Sequence, residues 1–397
     1  MTRSCRSATP TSRTSPITTE LIPIELDGSP EALETLRRAV ADALGGGPAV
    51  LPFTDPALRD AMAPGEPAEP DTAVVIATSG STGAPKGVLL SARALVASAE
   101  ATHVRLGGPG QWLLATPAHY IGGLQVLVRS LLAGTTPALL TGHGFRPDAF
   151  AAAASTLKGG PRYTALVPTQ LVRLLDDGGA GLAAAKTFDG IVVGAAATSA
   201  ALRERAADAG VRIVPAYGMS ETASGCVYDG FPLDGVRVDV SGDRIRIAGD
   251  VLAHGYRLRP DLTAESFADG WFTTSDRGVR RDDGRIEGLG RADDMINTGG
   301  VKVSANAIER CLAGQPGVRD ACVVGLPDAE WGEAVAALVV PAGEPREADE
   351  LRAAVRAELG AASTPKRLEY AAELPLRGPG KIDRAAVRAR LLSGLSS

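Results

Sequence analysis

The stretch 78-TSGSTGAPKG-87 directly follows the apolar run 73-AVVIA-77 and decides which fold we expect. Glycines allow backbone N–H groups to approach a ligand closely, and the serine and threonine hydroxyls add hydrogen-bond donors. Lys86 supplies a positive charge suited to a phosphate. The apolar run is typical of a buried strand, so the stretch predicts a phosphate-binding loop at the end of a strand. An ordinary surface loop is the alternative that composition alone allows.

This loop differs from the P-loop of simple ATPases. That motif ends in Gly-Lys followed by Ser or Thr at the start of a helix. Here Pro85 precedes Lys86 and removes a backbone donor, and Gly87, a weak helix former, follows it. The sequence therefore argues against a Walker-type ATPase.

Length and composition limit the classes of protein that fit. A chain of 397 residues, 45% of them hydrophobic, is long enough for two or three domains with substantial cores. A net charge of −5 argues against a nucleic-acid-binding role. The four cysteines lack a C-x-x-C spacing, which argues against a zinc site or a disulfide framework and fits a reducing cytoplasm.

Residues 1–19 have the composition expected of a disordered leader. They are rich in Ser, Thr, Arg and Pro and lack the apolar stretch of a secretory signal. No apolar run in the chain approaches the ~20 residues that a membrane-spanning helix needs, so we expect no membrane span.

Apolar strand patterns alternate with helical patterns through the first half of the chain. Such alternation predicts a parallel sheet with crossover helices, and ligands bind these sheets at the carboxyl ends of the strands. The loop 78–87 and the turn 215–222 both follow predicted strands. The predicted strands are 112–117, 136–141, 163–167, 189–194 and 211–218, and the predicted helices are 121–134, 169–175 and 199–210, the last with Ser199 as its N-cap.

The pattern changes after residue 231. Segments 236–240 and 244–248 alternate with period two and predict a β-hairpin. A compact α+β segment follows, with predicted helices at 304–314 and 348–360 and predicted strands at 320–325 and 334–340. We place the domain boundary near Asp293. The expected domains are therefore a leader of residues 1–19, a large α/β domain of residues 20–291 with a hairpin-rich subdomain, and a small α+β domain of residues 292–397.

The cluster 217-YGMSETASG-225 has two interpretations. Gly218-Met219-Ser220 resembles the start of a nucleophile elbow, but Thr222 occupies the position where that motif requires a second glycine. The other interpretation is a nucleotide-binding turn. In it Tyr217 stacks on a base, Thr222 bonds a phosphate and Glu221 holds Mg²⁺, which takes one or two carboxylates together with phosphate oxygens.

Three further polar segments contain candidate ligand contacts. Asp276 in 271-WFTTSDRG-278 could accept hydrogen bonds from a ribose, although aspartate in a polar loop is also a common turn former. Arg291 lies beside the polar stretch that starts the small domain. Lys381 is expected in a loop between Gly380 and a helix that begins near Asp383, where a solvated side chain is the plain alternative.

Taken in order, these segments resemble the motifs of the adenylate-forming acyl-CoA synthetase superfamily. The resemblance covers about residues 71–392. It rests on five stretches in the same order, which are 78-TSGSTGAPKG-87, 217-YGMSET-222, Asp276, 290-GRADDMI-296 and 380-GKIDR-384. The resemblance implies that a carboxylic acid is first joined to AMP from ATP and is then transferred to the thiol of coenzyme A.

The resemblance also implies roles for individual residues. Lys381, Glu221 and His119 would act in catalysis, with Glu221 also binding Mg²⁺. The small domain would pivot at Asp293, and His119, Ser220, Ser224 and Gly225 would contact the acid. CoA would meet Gly299, Gly300 and Lys302. The nucleotide would contact Thr78, Ser79, Gly80, Ser81, Thr82, Gly83, Lys86, Gly194, Ala195, Ala196, Tyr217, Gly218, Thr222, Asp276 and Arg291.

Within the superfamily, 217-YGMSETASGCVYDGFPLDGVRV-238 resembles the actinobacterial o-succinylbenzoate–CoA ligases of menaquinone synthesis. The chain departs from the wider family at Ser275, where glycine is usual before the ribose aspartate, and at 194-GAAA-197. A different acid, a carrier protein as acceptor, or a non-catalytic nucleotide-binding protein remain alternatives. The resemblance also leaves a homodimer open.

Overall fold

The computed structural model describes residues 20–78, 85–140, 144–378 and 381–393. Its first sheet has the strand order β1-β2-β3-β4, closed by a later strand, with β1, β2 and β3 parallel and β4 antiparallel to β3. The elements are β1 (Leu21–Glu25), α1 (Pro30–Leu44), β2 (Ala49–Phe53), α2 (Pro56–Ala61), β3 (Val74–Thr78), β4 (Lys86–Leu90) and α3 (Ala92–Leu106). The predicted strand before the glycine-rich loop is confirmed. A second strand, not a helix, follows the loop.

A second sheet forms the centre of the large domain, in the order β11-β10-β9-β8-β7-β5-β6. The pairs from β6 to β9 are parallel, as predicted, and β10 and β11 add antiparallel strands. The elements are β5 (Gln111–Leu114), α4 (Ile121–Leu132), β6 (Ala138–Leu139), α5 (Pro147–Ser155), β7 (Arg162–Leu166), α6 (Pro168–Asp177), α7 (Ala180–Ala185), β8 (Gly190–Val193), α8 (Ala200–Asp208), β9 (Ile213–Met219), β10 (Ser224–Tyr228) and β11 (Phe231–Pro232).

Two apolar cores hold this sheet. One joins the first sheet with α1, α3, α4 and the second sheet. The other packs helices α5 to α8 against β5, β7 and β8. Local sequence explains the helix ends, because Ser199 caps α8 by accepting a hydrogen bond from the backbone N–H of Leu202 at 3.2 Å, as its position predicted.

A third sheet contains the predicted hairpin and completes the large domain. Its strands are antiparallel, in the order β12-β13-β16-β15 with β17 on β16. The elements are β12 (Arg237–Asp239), β13 (Arg244–Ala248), β14 (Gly255–Tyr256), α9 (Pro260–Ser266), β15 (Phe267–Ala268), β16 (Trp271–Arg280) and β17 (Ile286–Arg291). Strand β14 lies between β13 and β15 in the chain but belongs to the first sheet, where it pairs with β4.

The small domain is a mixed sheet covered by helices on both faces. Strands run in the order β19-β18-β21-β20, and β22 pairs with β21. Helices α10 and α11 share one apolar core, and α12 packs into the other. The elements are β18 (Met295–Thr298), β19 (Val301–Ser304), α10 (Ala305–Ala313), β20 (Val318–Asp328), β21 (Gly332–Pro341), α11 (Ala348–Leu359), β22 (Arg367–Tyr370), β23 (Leu376–Arg377), β24 (Lys381–Ile382) and α12 (Arg384–Ser393).

Candidate functional site

The nucleotide side of the candidate site lies where β8 and β9 end. Gly194, Ala195 and Ala196 follow β8, and Ala195 has a positive φ of 68°, a conformation uncommon for residues other than glycine. Ala195 and Ala196 are exposed. Because β8 and β9 are parallel neighbours, this loop and Tyr217 belong to the same edge of the sheet, as predicted.

Tyr217 and Asp276 meet although they are far apart in the sequence. The Tyr217 hydroxyl donates a hydrogen bond to Oδ2 of Asp276 at 2.8 Å. Burial and the adjacent Asp276 carboxylate raise the pKa of Tyr217, so the phenol keeps its proton at neutral pH. The backbone N–H of Asp276 donates to Oγ1 of Thr274. The β16–β17 register also pairs Asp276 with Arg291, which brings the third predicted nucleotide contact to this point.

The turn between β9 and β10 presents Glu221 and hides Thr222. The Thr222 hydroxyl donates to the carbonyls of Met219 and Ser224 and accepts from the Met219 N–H, and its side chain is fully buried. The predicted phosphate contact of Thr222 is therefore wrong for this arrangement, because the hydroxyl is used to hold the turn. Ser220 is half-buried, and its hydroxyl has no hydrogen-bond partner among the described residues. It is better placed for a phosphate oxygen.

Tyr256 links Glu221 to Lys86. Its hydroxyl donates to Oε1 of Glu221 at 2.9 Å, and the Lys86 ammonium lies 5.4 Å from the centre of its ring. Burial and the Glu221 carboxylate raise the pKa of Tyr256, which therefore stays a hydrogen-bond donor at neutral pH. Two predicted phosphate-side residues thus meet around a tyrosine that the sequence did not single out.

The glycine-rich loop joins two paired strands. Thr78 ends β3, Lys86 begins β4, and the Thr78 hydroxyl donates to the Lys86 carbonyl at 3.2 Å. The predicted contacts of Ser79, Gly80, Ser81, Thr82 and Gly83 lie outside the described residues. The strands on either side nevertheless fix where the loop leaves and re-enters the sheet.

Two predicted ligand-contacting glycines have a packing role. A Cβ added to Gly218 would lie 2.1 Å from the Ser224 carbonyl oxygen, and one added to Gly225 would lie 2.7 Å from the Tyr228 ring. These glycines pair with each other across β9 and β10. The Tyr228 ring fills the space that a side chain at 225 would enter, so packing alone favours glycine there, and the contact of Gly225 with the acid stays a prediction.

His119 and Tyr120 stand at the start of α4. Their rings lie 4.0 Å apart, centre to centre. Burial lowers the pKa of His119 to about 4, so the imidazole is neutral at neutral pH. The ring nitrogen Nδ1 of His119 is buried and has no hydrogen-bond partner among the described residues. A neutral imidazole at this position avoids placing a fixed charge where an apolar acyl group would lie.

The segment that contains Lys381 reaches this same place. Lys381 is exposed and begins β24, which pairs with β23 in a short hairpin. The prediction that Lys381 lies in a loop is therefore wrong, while the predicted start of α12 is confirmed because Asp383 caps it. A Cβ added to Gly378 in this hairpin would lie 2.8 Å from the Tyr120 hydroxyl oxygen. The Lys381 hairpin thus rests against the His119–Tyr120 end of the large domain.

One turn connects the two domains. A single 3-10 turn, Ala292–Asp294, joins β17 to β18. Asp294 already interacts with the small domain, since its Oδ2 lies 3.4 Å from Nε of Arg384. The same guanidinium contacts Glu309 at 2.7 Å and 2.9 Å, and Glu309 is almost fully buried. Residues 292 and 293 therefore lie between the last strand of the large domain and the first side chain that is tied to the small domain, and a pivot at Asp293 stays a prediction.

The predicted CoA-contacting residues form a hairpin turn in the small domain. Gly299 and Gly300 have positive φ values of 60° and 81° between β18 and β19, and Lys302 is exposed on β19. A Cβ on Gly299 would lie 2.5 Å from the Trp331 ring, whereas one on Gly300 would meet nothing within 4 Å. Gly299 therefore serves packing, and Gly300 is open to an approaching ligand.

The metal prediction rests on Glu221. Among the described residues, no group of three His, Cys, Asp or Glu side chains is arranged to hold a metal ion. A single carboxylate is compatible with Mg²⁺ that takes its remaining ligands from phosphates and water. Glu221 is half-buried, and Tyr256 bonds only its Oε1. Glu221 therefore fits this role through its other carboxylate oxygen.

Sequence reasoning missed Tyr256 and Tyr120. Tyr256 belongs to a two-residue strand, too short to give a periodic pattern. Tyr120 contacts the small domain across a long separation in the chain, which no local pattern records. The adjacency of Tyr120 to His119 was the one available signal.

No helix in the described part of the chain has the length and apolar character needed to cross a membrane.

Family models agree with this architecture. Residues 13–253 match the AMP-binding enzyme family, and residues 307–381 match the AMP-binding enzyme C-terminal domain. The chain belongs to the AMP-binding enzyme family. It is 46% identical over 371 residues to a probable 2-succinylbenzoate–CoA ligase of Mycobacterium tuberculosis, covering 91% of this chain and 95% of that protein. It is 34% identical to the sulfoacetate–CoA ligase of Cupriavidus necator, covering 90% and 75%.

Solved structures share the fold. ATP-bound MatB from Rhodopseudomonas palustris superposes with a TM-score of 0.77 at 24% identity, covering 94% of this chain and 89% of that one. The o-succinylbenzoate CoA synthetase of Bacillus subtilis, in complex with its acyl-adenylate, gives 0.70 at 24% identity, covering 89% and 81%. The predicted adenylate-forming enzyme fold is therefore confirmed.

Proposed function

We propose that the chain is an AMP-forming acid–thiol ligase that converts 2-succinylbenzoate, ATP and CoA into 2-succinylbenzoyl-CoA, AMP and pyrophosphate, a step of menaquinone biosynthesis. The observation that carries the proposal is the 46% identity to the mycobacterial ligase over 91% of the chain. The site geometry supports it, since Lys86, Tyr256 and Glu221 form one connected group, and Tyr217 of β9 and Asp276 of β16 form another.

In the first half-reaction, a carboxylate oxygen of the acid attacks the α-phosphorus of ATP and the bond to pyrophosphate breaks. Protein side chains contribute position and charge, not covalent chemistry. Asp276 would accept hydrogen bonds from the ribose, and Lys86 and Ser220 would contact phosphate oxygens. Mg²⁺ bound at Glu221 would neutralise part of the phosphate charge.

Lys381 would supply the positive charge between the carboxylate and the α-phosphate. Its hairpin rests against Tyr120 beside His119, which supports a small-domain orientation suited to adenylation. In the second half-reaction the thiol sulfur attacks the acyl carbon, the thiol proton is released and AMP leaves. For that step the small domain would turn about Asp293 and present Gly300 and Lys302 to CoA.

The proposed substrate has two carboxylates on a keto-aryl frame. His119, Ser220 and Ser224 would border a site that is narrow and partly polar. Groups that bond the ring carboxylate would be left unpaired by an analogue that lacks it, and such analogues are rejected strongly. A cytoplasmic location and a homodimer stay predictions.

Measuring pyrophosphate release tests this function directly. The acids are 2-succinylbenzoate, 4-phenyl-4-oxobutyrate, benzoate, acetate and hexadecanoate, each with CoA and with a carrier protein as acceptor. We expect kcat/KM for 2-succinylbenzoate to exceed that for 4-phenyl-4-oxobutyrate at least ~100-fold, with a CoA thioester as product. Equal use of the analogue or a fatty acid would overturn the substrate, and transfer only to the carrier protein would overturn the acceptor.

A further inference from the structure

Tyr256 makes three separate contacts at the phosphate side of the site. Its hydroxyl donates to Oε1 of Glu221 at 2.9 Å, and the Lys86 ammonium lies 5.4 Å from the ring centre. Its backbone belongs to β14, where it is paired with Val88 of the strand that Lys86 begins. One buried side chain therefore contacts both Glu221, in the turn after β9, and Lys86, at the start of β4.

Hydrogen bonds fix the backbone at Tyr256 and at the next residue, Arg257. The Tyr256 N–H donates to the hydroxyl of Thr263 at 2.9 Å, and the Arg257 N–H donates to the Gly87 carbonyl at 2.8 Å. The buried Arg257 guanidinium donates to the carbonyls of Met62, Ala63, Glu66 and Pro67 and to Glu69. Because residues 62–69 accept the hydrogen bonds of the Arg257 guanidinium, Arg257 holds the backbone next to Tyr256 in place.

The hydrogen bond to Glu221 divides the carboxylate into two unlike oxygens. Oε1 is occupied by the phenol, while Oε2 has no hydrogen-bond or ion-pair partner within the residues that the structure describes. A carboxylate held by one oxygen loses rotational freedom before a ligand arrives, so less ordering remains to be done on binding. The oxygen left over is the one a cation would take.

The face of an aromatic ring attracts an ammonium group at this distance. Lys86 follows Pro85, so its position is set by the start of β4, but its long side chain has many rotamers. The Tyr256 ring gives the ammonium a preferred place, and the hydroxyl of the same side chain bonds the Glu221 carboxylate. The tyrosine thus contacts a cation through its ring and an anion through its hydroxyl.

We propose that Tyr256 is a positioning residue that orients Glu221 toward Mg²⁺ and Lys86 toward the phosphates of ATP. The inference rests on the proposed function, because it assigns a task in the binding of Mg·ATP. The competing interpretation is that the phenol is bonded to the nearest carboxylate and serves only the core. The two interpretations predict different results when the hydroxyl is removed. Mg²⁺ binding changes if Tyr256 positions Glu221, and it does not change if the phenol serves only the core.

The test uses Tyr256→Phe, which keeps the ring and removes the hydroxyl. Calorimetry measures binding of α,β-methylene-ATP at a series of Mg²⁺ concentrations. We expect the Mg²⁺ concentration that gives half-maximal binding to rise about tenfold, the effect of losing one hydrogen bond to a charged group. Affinity for the analogue without Mg²⁺ and KM for the acid should stay at the wild-type values.

Tyr163→Phe is the matched control. Tyr163 is also buried, and its hydroxyl donates to the Leu106 carbonyl at 3.0 Å, away from the site. Its removal should lower the melting temperature without changing the Mg²⁺ dependence. Tyr256→Leu, which also removes the ring, should weaken binding of the analogue without Mg²⁺ because Lys86 loses its support; thermal unfolding verifies that both variants fold.

An unchanged Mg²⁺ dependence in Tyr256→Phe, with the wild-type chain binding Mg²⁺ and the analogue normally, would overturn the inference and leave the ligase assignment intact. Failure of the wild-type chain to bind the analogue, or to release pyrophosphate, would instead overturn the proposed function. The two failures are therefore distinguishable in the same experiment.

Discussion

The nucleotide side of the large domain and the Lys381 segment of the small domain are built in opposite ways. In the large domain, Tyr217 bonds Asp276 at 2.8 Å and Tyr256 bonds Glu221 at 2.9 Å. Lys381 is exposed at the start of a two-residue strand. The difference supports our proposal, in which the groups needed throughout the reaction are held before substrates bind and the lysine needed for one step is brought in by a movable small domain.

The contacts between the domains agree with this division. Arg310 of α10 bonds Glu287 of the large domain at 2.6 Å, and both side chains are substantially exposed. Within the small domain, by contrast, the half-buried Arg384 bonds the almost fully buried Glu309. Exposed ion pairs contribute little stability, so the Arg310–Glu287 contact would be lost at little cost in the rotation that we propose.

The largest expected effect is at Lys381. Lys381→Ala should lower the rate of pyrophosphate release by about 10²–10³, the typical loss when one charge-stabilising donor is removed. Lys158→Ala is the control, because Lys158 is also exposed but lies in the large domain away from the site. Equal rates in the two variants would show that the small domain contributes no group to the first step.

Asp276→Ala tests the nucleotide side of the large domain. Loss of the carboxylate removes the proposed ribose contact and the hydrogen bond from Tyr217. We expect KM for ATP to rise roughly 30-fold, within the range for hydrogen bonds to a charged group, and KM for the acid to stay constant. Initial rates measured over ATP and acid concentrations decide this, with Asp250→Ala, at an exposed ion pair, as the control.

The contact between the two regions is tested by Gly378→Ala. The added Cβ would lie 2.8 Å from the Tyr120 hydroxyl, so pyrophosphate release should fall roughly tenfold through displacement of the hairpin. Gly160→Ala is the matched control, since Gly160 has a similar φ of 58° against 63° and open space around it.

Tyr120→Phe removes the obstructing oxygen. In the double variant with Gly378→Ala it should restore most of the lost rate, which gives a coupling that two independent sites would not show. Additive losses would contradict docking of the hairpin on Tyr120.

The smallest effect is expected at the pivot. Asp293→Pro fixes φ near −65° and restricts residue 292, so it should slow thioester formation from supplied acyl-adenylate about fivefold and adenylation less. Asp293→Ala separates the backbone effect from loss of the side chain. Thioester formation at the wild-type rate in the proline variant would place the pivot elsewhere.

The sequence was informative where patterns are local. The strand before the glycine-rich loop, the cap at Ser199 and the hairpin near residue 240 follow from periodicity and side-chain chemistry within a few residues. It failed where partners are distant. Tyr256 lies on a two-residue strand whose partner strand, β4, is far away in the chain. The sequence also failed at Thr222, where the partners are local, because the hydroxyl bonds the carbonyls of its own turn. The sequence alone does not reveal whether the hydroxyl of a residue next to a candidate ligand residue bonds a ligand or the local backbone.

The measurement that tests the central claim most directly compares both half-reactions in Lys381→Ala. Pyrophosphate release from ATP and 2-succinylbenzoate reports the first, and thioester formation from supplied 2-succinylbenzoyl-adenylate and CoA reports the second. The account predicts that the first falls by about 10²–10³ while the second stays within about twofold of the wild-type rate. An equal loss in both would contradict a lysine that is delivered for adenylation alone.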